Sequence, residues 1–219
     1  MPKLNSMAKP LPLCSVTTYE STICMHDPKT VNKISTETPM PRPHWRERPL
    51  VLVGLMGAGK STIGRRLAKE IGWRFVDSDE EIEAAAGCSI ADIFTIHGEA
   101  IFRDLEKRVI SRLVGEAPMV LATGGGAWMQ TPVREVIKQN ATSVWLRAEL
   151  HVLTDRVSKR NHRPLLETGD KREILDKLMQ ERYPVYALAD YVVDSSDGPH
   201  ERVVERVVAA LENEGHPHA

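Results

Sequence analysis

Cysteine is scarce in this chain, neither sign of charge predominates, and no apolar run is long. Three cysteines among 219 residues, at wide and irregular spacing, exclude a disulfide framework and a paired-cysteine metal site. The 29 Lys and Arg against 30 Asp and Glu argue against a nucleic-acid coat, which needs a basic excess. The longest apolar run, residues 50–56, is far short of the roughly 20 residues that span a bilayer. We therefore expect a soluble cytoplasmic protein with no membrane or nucleic-acid partner.

The first 49 residues differ in composition from the rest of the chain. They contain eight of the 14 prolines and ten serines and threonines, without helical or strand periodicity. Such a segment buries too little apolar surface to offset the entropy of ordering it, which predicts a disordered N-terminal extension over residues 1–49. A dispensable extension, a start codon assigned too early, a transit peptide and a partner-binding arm all stay open. A transit peptide is disfavoured because the first arginine is Arg42.

From residue 50 onward, short apolar segments alternate with segments of helical periodicity. We predict strands at 50–54, 73–76, 119–123, 142–146 and 191–193, with amphipathic helices between them, such as one over 99–114. Strands that alternate with helices favour right-handed crossovers and a parallel sheet covered on both faces. The sequence therefore predicts one α/β domain over residues 50–219, with a five-stranded parallel sheet flanked by helices in three layers.

A phosphate-binding loop follows the first predicted strand. Gly54–Ser61 reads GLMGAGKS and matches G-x-x-x-x-G-K-[ST] without a mismatch, between a strand and a helix. Glycines let successive backbone N–H groups point at phosphate oxygens, and the helix adds the positive end of its dipole. Lys60 can bridge phosphates, and the Ser61 hydroxyl suits Mg²⁺. The loop predicts a P-loop NTPase fold that binds a nucleoside triphosphate with Mg²⁺ through Gly57, Ala58, Gly59, Lys60, Ser61 and Thr62.

Two carboxylates follow the second predicted strand. In an extended segment the side-chain period is two, so Asp77 and Asp79 are expected to point the same way. The carboxyl ends of strands open into the ligand crevice of an α/β sheet, so both are expected to face the phosphate loop. One could hold the hydration shell of Mg²⁺, and the other could orient an acceptor hydroxyl. The alternative is an exposed acidic helix start that complements a helix dipole.

Several spaced motifs together resemble the shikimate kinase family over about residues 50–211. They are the phosphate loop GLMGAGKST, the segment DSDEEIE at 77–83, FRDLE at 102–106, ATGGG at 122–126, RPLL at 163–166 and ERYPVY at 181–186. They occur in the order of that family. The resemblance implies a monomeric kinase that transfers the γ-phosphoryl group of ATP to the 3-hydroxyl of shikimate, on the route to chorismate and the aromatic amino acids.

The resemblance also implies a set of acceptor-binding residues. Asp79 would bind the reacting and neighbouring hydroxyls, and Gly125 would offer a backbone N–H. Arg103 and Arg182 would clamp the carboxylate, for which a planar guanidinium fork is suited. Taken singly, either arginine is more readily an ordinary surface charge, and the triple glycine could be a plain left-handed turn.

Nucleotide-side roles follow from the same resemblance. Arg163 would lie on a mobile lid at about 157–170 and reach the phosphates, so that it counts with Lys60 and Asp79 as catalytic. Arg156 would stack on adenine, and Asp77 would hold Mg²⁺ through water. The basic stretch that contains both arginines is alternatively an ordinary loop.

Two other functions compete with shikimate kinase. A gluconate kinase or another small-metabolite kinase shares the phosphate loop and an Asp-rich second strand, but is not expected to combine FRDLE, the triple glycine and RPLL. A kinase-like sensor or interaction protein without turnover is the second alternative. The presence of Lys60, Asp79 and the arginines together argues against it.

Overall fold

The computed structural model describes residues 44–159, 170–195 and 198–213. Its five strands within these ranges are Leu50–Val53 (β1), Arg74–Asp77 (β2), Met119–Ala122 (β3), Thr142–Arg147 (β4) and Tyr191–Asp194 (β5). Its seven α-helices there are Lys60–Ile71 (α1), Ser78–Ala86 (α2), Ile90–Val114 (α3), Thr131–Asn140 (α4), Leu150–Ser158 (α5), Lys171–Tyr186 (α6) and His200–Glu212 (α7). Short 3₁₀ segments cover His44–Glu47 and Ala127–Met129.

The strands form one sheet in the order β2-β3-β1-β4-β5. Every pairing between neighbours is parallel, which requires a crossover between successive strands, and helices supply it. All residues of β1 and β3 are buried, as expected for central strands covered on both faces. The predicted five-stranded parallel sheet flanked by helices is confirmed.

Strand order places a crevice at the carboxyl end of β1. The chain leaves β1 for β2 and β3 on one side, and later returns to β4 and β5 on the other. In open α/β sheets such a switch point is where ligands bind, because the flanking loops diverge there. The phosphate loop after β1, the turn after β3 and the start of α2 after β2 all lie at this edge of the sheet.

The domain begins before residue 50. Trp45 is 2% exposed and belongs to the hydrophobic core, where its ring lies 5.9 Å from that of Trp73. Thr142 donates a backbone hydrogen bond to Pro49 at 2.8 Å. The predicted boundary at residue 49 is therefore too late, because a single buried tryptophan gives no periodic signal. The rest of the predicted extension, residues 1–43, lies outside the described residues.

Two helix boundaries refine the sequence prediction. The helix predicted over 99–114 is the second part of α3, which begins at Ile90 after the Ser89 cap and changes direction at Gly98, with φ 81° and ψ 172°. Helix α5 includes residues 157 and 158, which were assigned to the lid, and most of the remaining lid lies outside the described residues. Among the described helices, none is long and apolar enough to cross a membrane.

Close contact between α1 and the sheet depends on Gly64. A Cβ atom at this position would lie 2.5 Å from a ring carbon of Phe75 and 3.2 Å from Leu52. We expect Gly64→Ala to lower the free energy of unfolding by about 1–3 kcal/mol, since overpacking forces a shift of the ring or the helix. Urea denaturation measures it.

The matched control is Gly115→Ala. There the nearest atom to a new Cβ is the Arg112 carbonyl oxygen at 3.5 Å, and the backbone is right-handed, so no loss of stability is expected. Equal destabilisation by both substitutions would contradict the close-contact account.

Candidate active site

The phosphate loop has the backbone that its glycines predict. Gly57 and Gly59 have φ of 83° and 93°, in the left-handed region that side chains disfavour. Helix α1 starts directly after them at Lys60, so its first-turn N–H groups and the positive end of its dipole face the loop. The ammonium group of Lys60 donates to the carbonyls of Gly54 at 2.8 Å and Leu55 at 3.0 Å. The loop therefore curves around the ammonium group of Lys60, next to the N-terminus of α1.

A cavity of about 320 Å³ opens above this loop. Its lining combines the phosphate loop, the two carboxylates after β2 and the turn after β3. Among the predicted site residues it includes Gly57, Gly59, Lys60, Ser61, Thr62, Asp77, Asp79, Gly125 and Arg156. Lining residues to which the sequence analysis gave no individual role are Thr123, Gly124, Val157, Lys159 and His200. The cavity thus joins the phosphate loop to Asp79 and Gly125 of the predicted acceptor site, whereas Arg103, Arg182 and Ala58 are not among its lining residues.

Asp77 and Asp79 both line the cavity, but not as neighbours on a strand. Strand β2 ends at Asp77, and α2 begins at Ser78. Asp77 caps this helix by accepting from the backbone N–H of Asp79 at 3.1 Å. The extended-segment argument was therefore wrong, and the helix-start alternative is correct as local structure. A helix that starts at this point still leaves both carboxylates at the cavity.

Asp77 also accepts a hydrogen bond from the hydroxyl of Ser61 at 2.7 Å. The contact joins the first turn of α1 to the end of β2 across the cavity floor. Hydroxyl and carboxylate oxygens are the ligands that Mg²⁺ takes from proteins, usually with several waters. The pair therefore fits a magnesium ion, in agreement with the donor types expected from the sequence.

Three glycines after β3 allow charged groups to approach the backbone closely. A Cβ atom at Gly124 would lie 2.8 Å from Oδ1 of Asp79 and 3.0 Å from Oε1 of Glu106. A Cβ atom at Gly126 would lie 2.6 Å from Nη1 of Arg103. Any other residue would displace these side chains. None of the three glycines has a positive φ, so the alternative of a plain left-handed turn is wrong. Glycine is favoured at positions 124 and 126 because of these close contacts.

Arg103 is held beside this turn by two acidic residues. It donates to Glu106 at 2.8 Å and to Glu99 at 3.0 Å. Burial opposes the charge on Arg103, but these hydrogen bonds and ion pairs outweigh it and raise the pKa. Glu106 is 1% exposed and also accepts from Gln130 at 2.7 Å. The guanidinium group is thus fixed at the Gly126 end of the turn.

Arg182 reaches the same turn from α6. Its Nη1 atom donates to the carbonyl of Gly125 at 3.2 Å, and the hydroxyl of Tyr186 donates to the same oxygen at 2.5 Å. The indole N–H of Trp128, just after the turn, donates back to Val185 at 2.9 Å. These three bonds fix α6 to the turn and bring Arg182 to the Gly125 backbone.

Arg156 lies at the other end of the cavity. It donates to the hydroxyl of Ser195 at 2.9 Å, and Ser195 in turn donates to the carbonyl of Ala58 at 2.8 Å. Ser195 is fully buried. The side chain of Ala58 is buried as well, so this residue faces the core and bonds through its backbone. Arg163 lies outside the described residues.

Glu106, Ser195 and Tyr186 are the principal polar residues that sequence reasoning missed. Glu106 is three positions after Arg103, on the same helix face, so helical spacing could have identified it as a partner. Ser195 and Tyr186 carry no such local signal. Their partners are more than 30 residues away in sequence, and only the fold brings them together.

Glu106 makes a testable prediction about stability and pH. Burial raises the pKa of Glu106 above its ordinary value of 4.5, against the opposing effect of Arg103. The folded state then binds the Glu106 proton more tightly than the unfolded state does. The resulting contribution to the free energy of unfolding is complete below the ordinary pKa and is lost as pH rises through the raised pKa. Relative to Glu106→Gln, the unaltered chain should lose free energy of unfolding as pH rises from 4.5 toward neutrality.

Glu116→Gln is the control of opposite sign. Its hydrogen bond from Arg74 lowers the pKa of Glu116, so its contribution is complete above the ordinary pKa and is lost as pH falls through the lowered one. Urea denaturation measures both differences, below pH 4.5 for Glu116 and above pH 4.5 for Glu106. A difference that changes with pH in the same direction for both variants would contradict the burial argument.

Comparison with known families agrees with this geometry. The family model for shikimate kinase matches residues 56–212. A shikimate kinase of Paramagnetospirillum magneticum is 57% identical over 164 residues, which cover 75% of this chain and 84% of the relative. A shikimate kinase of Rhodopseudomonas palustris is 53% identical over 165 residues, covering 75% and 81%.

Solved structures give the same result. Shikimate kinase from Acinetobacter baumannii, in complex with shikimate, superposes with a TM-score of 0.73 at 36% identity, covering 78% of this chain and 97% of that one. Shikimate kinase from Aquifex aeolicus gives a TM-score of 0.64 at 33% identity, covering 75% and 96%. With a family model matched over most of the described domain and relatives identical at half of the aligned positions, this chain belongs to the shikimate kinase family.

Proposed function

We propose that this chain transfers the γ-phosphoryl group of ATP to the 3-hydroxyl of shikimate, giving shikimate 3-phosphate and ADP. One observation carries the proposal. The phosphate loop, the carboxylate of Asp79 and a glycine turn flanked by two arginines meet at one cavity. The phosphate loop suits the phosphates of the nucleotide. The arginines at the turn suit a carboxylate on the acceptor, and Asp79 suits its hydroxyl groups.

The nucleotide half of the site consists of the phosphate loop and its partners. The backbone from Gly57 to Thr62 and the dipole of α1 would hold the phosphates, and Lys60 would turn from the loop carbonyls to the more strongly accepting phosphate oxygens. Ser61 and Asp77 would hold Mg²⁺, which when bound neutralises charge on the phosphates. Arg156 would contact the base, and Arg163 is proposed to reach the phosphates from the lid.

The acceptor half follows from the order of charges along the glycine turn. Asp79 lies beside Gly124, where it would accept a hydrogen bond from the reacting hydroxyl and orient its oxygen for in-line attack. Arg103 and Arg182 would bind the carboxylate through paired charge-assisted bonds, with Gly125 between them. The proposal also includes a monomer that acts in the cytoplasm, as the sequence analysis expects.

Steady-state release of ADP with shikimate, gluconate or no acceptor tests the function. We expect release that depends on shikimate and Mg²⁺, and that falls by about 100- to 10,000-fold in kcat in Asp79→Asn, since the amide cannot take the hydroxyl proton. The matched control is Asp104→Asn on α3, whose carboxylate is exposed and pairs with Arg108. Gluconate-dependent release alone would reject the acceptor, and near-native kcat in Asp79→Asn would reject the role of Asp79.

The link from Arg156 through Ser195 to the phosphate loop predicts a nucleotide effect. Ser195→Ala removes one buried hydroxyl that bonds both Arg156 and Ala58. We expect the KM for ATP to rise about fivefold, equivalent to about 1 kcal/mol, with the KM for shikimate unchanged.

Ser143→Ala provides the comparison for this prediction. Ser143 is equally buried, but its hydroxyl bonds Asp190 at 2.7 Å, near the amino end of β4. This variant should lose stability and keep both KM values. An unchanged KM for ATP in Ser195→Ala would reject the link.

A further inference from the structure

The carbonyl oxygen of Gly125 accepts from two side chains that lie one helical turn apart on α6. Arg182 donates at 3.2 Å and Tyr186 at 2.5 Å. A peptide oxygen has two lone pairs, so both bonds form at once. The longer bond is made by the charged group and the shorter one by the neutral hydroxyl. The two donors differ in charge and in burial, since Arg182 is half-buried and Tyr186 is fully buried, and this difference indicates different roles.

Tyr186 is placed as the lasting partner of this carbonyl. Its side chain is fully buried, and its ring lies 5.9 Å from that of Trp145. Burial raises the pKa of its hydroxyl to about 12, so the group keeps the proton that it donates. Rotation of the ring would require an opening in a close-packed core. The bond to Gly125 thus persists whether or not Arg182 remains.

Arg182 is placed as the exchangeable partner. It is half-buried, bonds the neutral Gly125 oxygen at 3.2 Å and also interacts with the hydroxyl of Tyr186. A carboxylate accepts two parallel bonds from a guanidinium group, each about twice as strong as a neutral one. An anion at the turn would therefore compete with the Gly125 carbonyl for Arg182. Without a second donor, that exchange would leave a peptide oxygen unpaired, which costs about as much as a lost hydrogen bond.

We propose that Tyr186 is a positioning residue that keeps the Gly125 carbonyl hydrogen-bonded and so frees Arg182 to bind the carboxylate of the acceptor. The role rests on the proposed function, in which Arg182 is a carboxylate ligand. Tyr186 acts through Gly125 and not on the substrate. Because C=O and N–H point in opposite directions in a trans peptide, the same bond also directs the N–H of Gly126 away from α6.

Steady-state kinetics of Tyr186→Phe test this role, with Tyr183→Phe as the matched control. Both tyrosines lie on α6, pack against Trp145 and donate to a backbone carbonyl, but Tyr183 donates to Ala148. We expect Tyr186→Phe to raise the KM for shikimate about fivefold to tenfold and to leave the KM for ATP unchanged. Tyr183→Phe should change neither constant, although it also loses a hydrogen bond.

Removal of Arg182 distinguishes this positioning role from a merely structural one. A structural role of Tyr186 would change the KM for shikimate by the same factor with or without Arg182. In the Arg182→Ala background, Tyr186→Phe should no longer raise the KM for shikimate, because no guanidinium group is left to free. The same factor with and without Arg182 would overturn the role, as would equal effects of the two tyrosine variants. Absence of shikimate-dependent turnover in the unaltered chain is a separate outcome, and it would overturn the proposed function together with this role.

Discussion

The absence of side chains along Gly124–Gly126 is the constraint on which the site depends. Asp79 and Glu106 lie within about 3 Å of the position that a Cβ of Gly124 would occupy, and Arg103 is as close to that of Gly126. Arg182 binds the carbonyl of the glycine between them. Four charged groups from α2, α3 and α6 therefore converge on one stretch of backbone. A single methyl group at either end of the turn would separate them.

Convergence on this turn also orders the charges along it. The carboxylate of Asp79 lies beside Gly124, and the guanidinium group of Arg103 lies beside Gly126. The Cα atoms of these two glycines are at most about 7 Å apart. A small hydroxy acid placed along the turn would direct its carboxylate to the arginines and its hydroxyls to Asp79. The hydrogen bond to buried Glu106 holds Arg103 in place. Without such a partner, the Arg103 side chain would sample other rotamers and its guanidinium group would leave the turn. The proposed orientation of the acceptor thus depends on the packing of three helices on a glycine backbone.

The sequence predicted the features that depend on local pattern. Alternating periodicity predicted the parallel sheet, and the phosphate loop predicted a strand, a glycine-rich turn and a helix from about Lys60. It failed where a local choice of conformation intervened. Asp77 ends β2 as a helix cap, so strand periodicity does not apply to Asp79. It also missed contacts that only the fold creates, such as those of Ser195 and Tyr186. Roles assigned by resemblance to Arg103, Arg182 and Gly125 stay predictions, although these residues do meet at one turn.

Phosphorus NMR of a reaction between the unaltered chain, ATP, Mg²⁺ and shikimate tests the central claim most directly, because it reports which oxygen receives the phosphoryl group. The account predicts a single new phosphomonoester signal, coupled to the proton on carbon 3 of shikimate, that grows as ATP is converted to ADP. A phosphomonoester on another hydroxyl, or consumption of ATP that yields only inorganic phosphate, would contradict it.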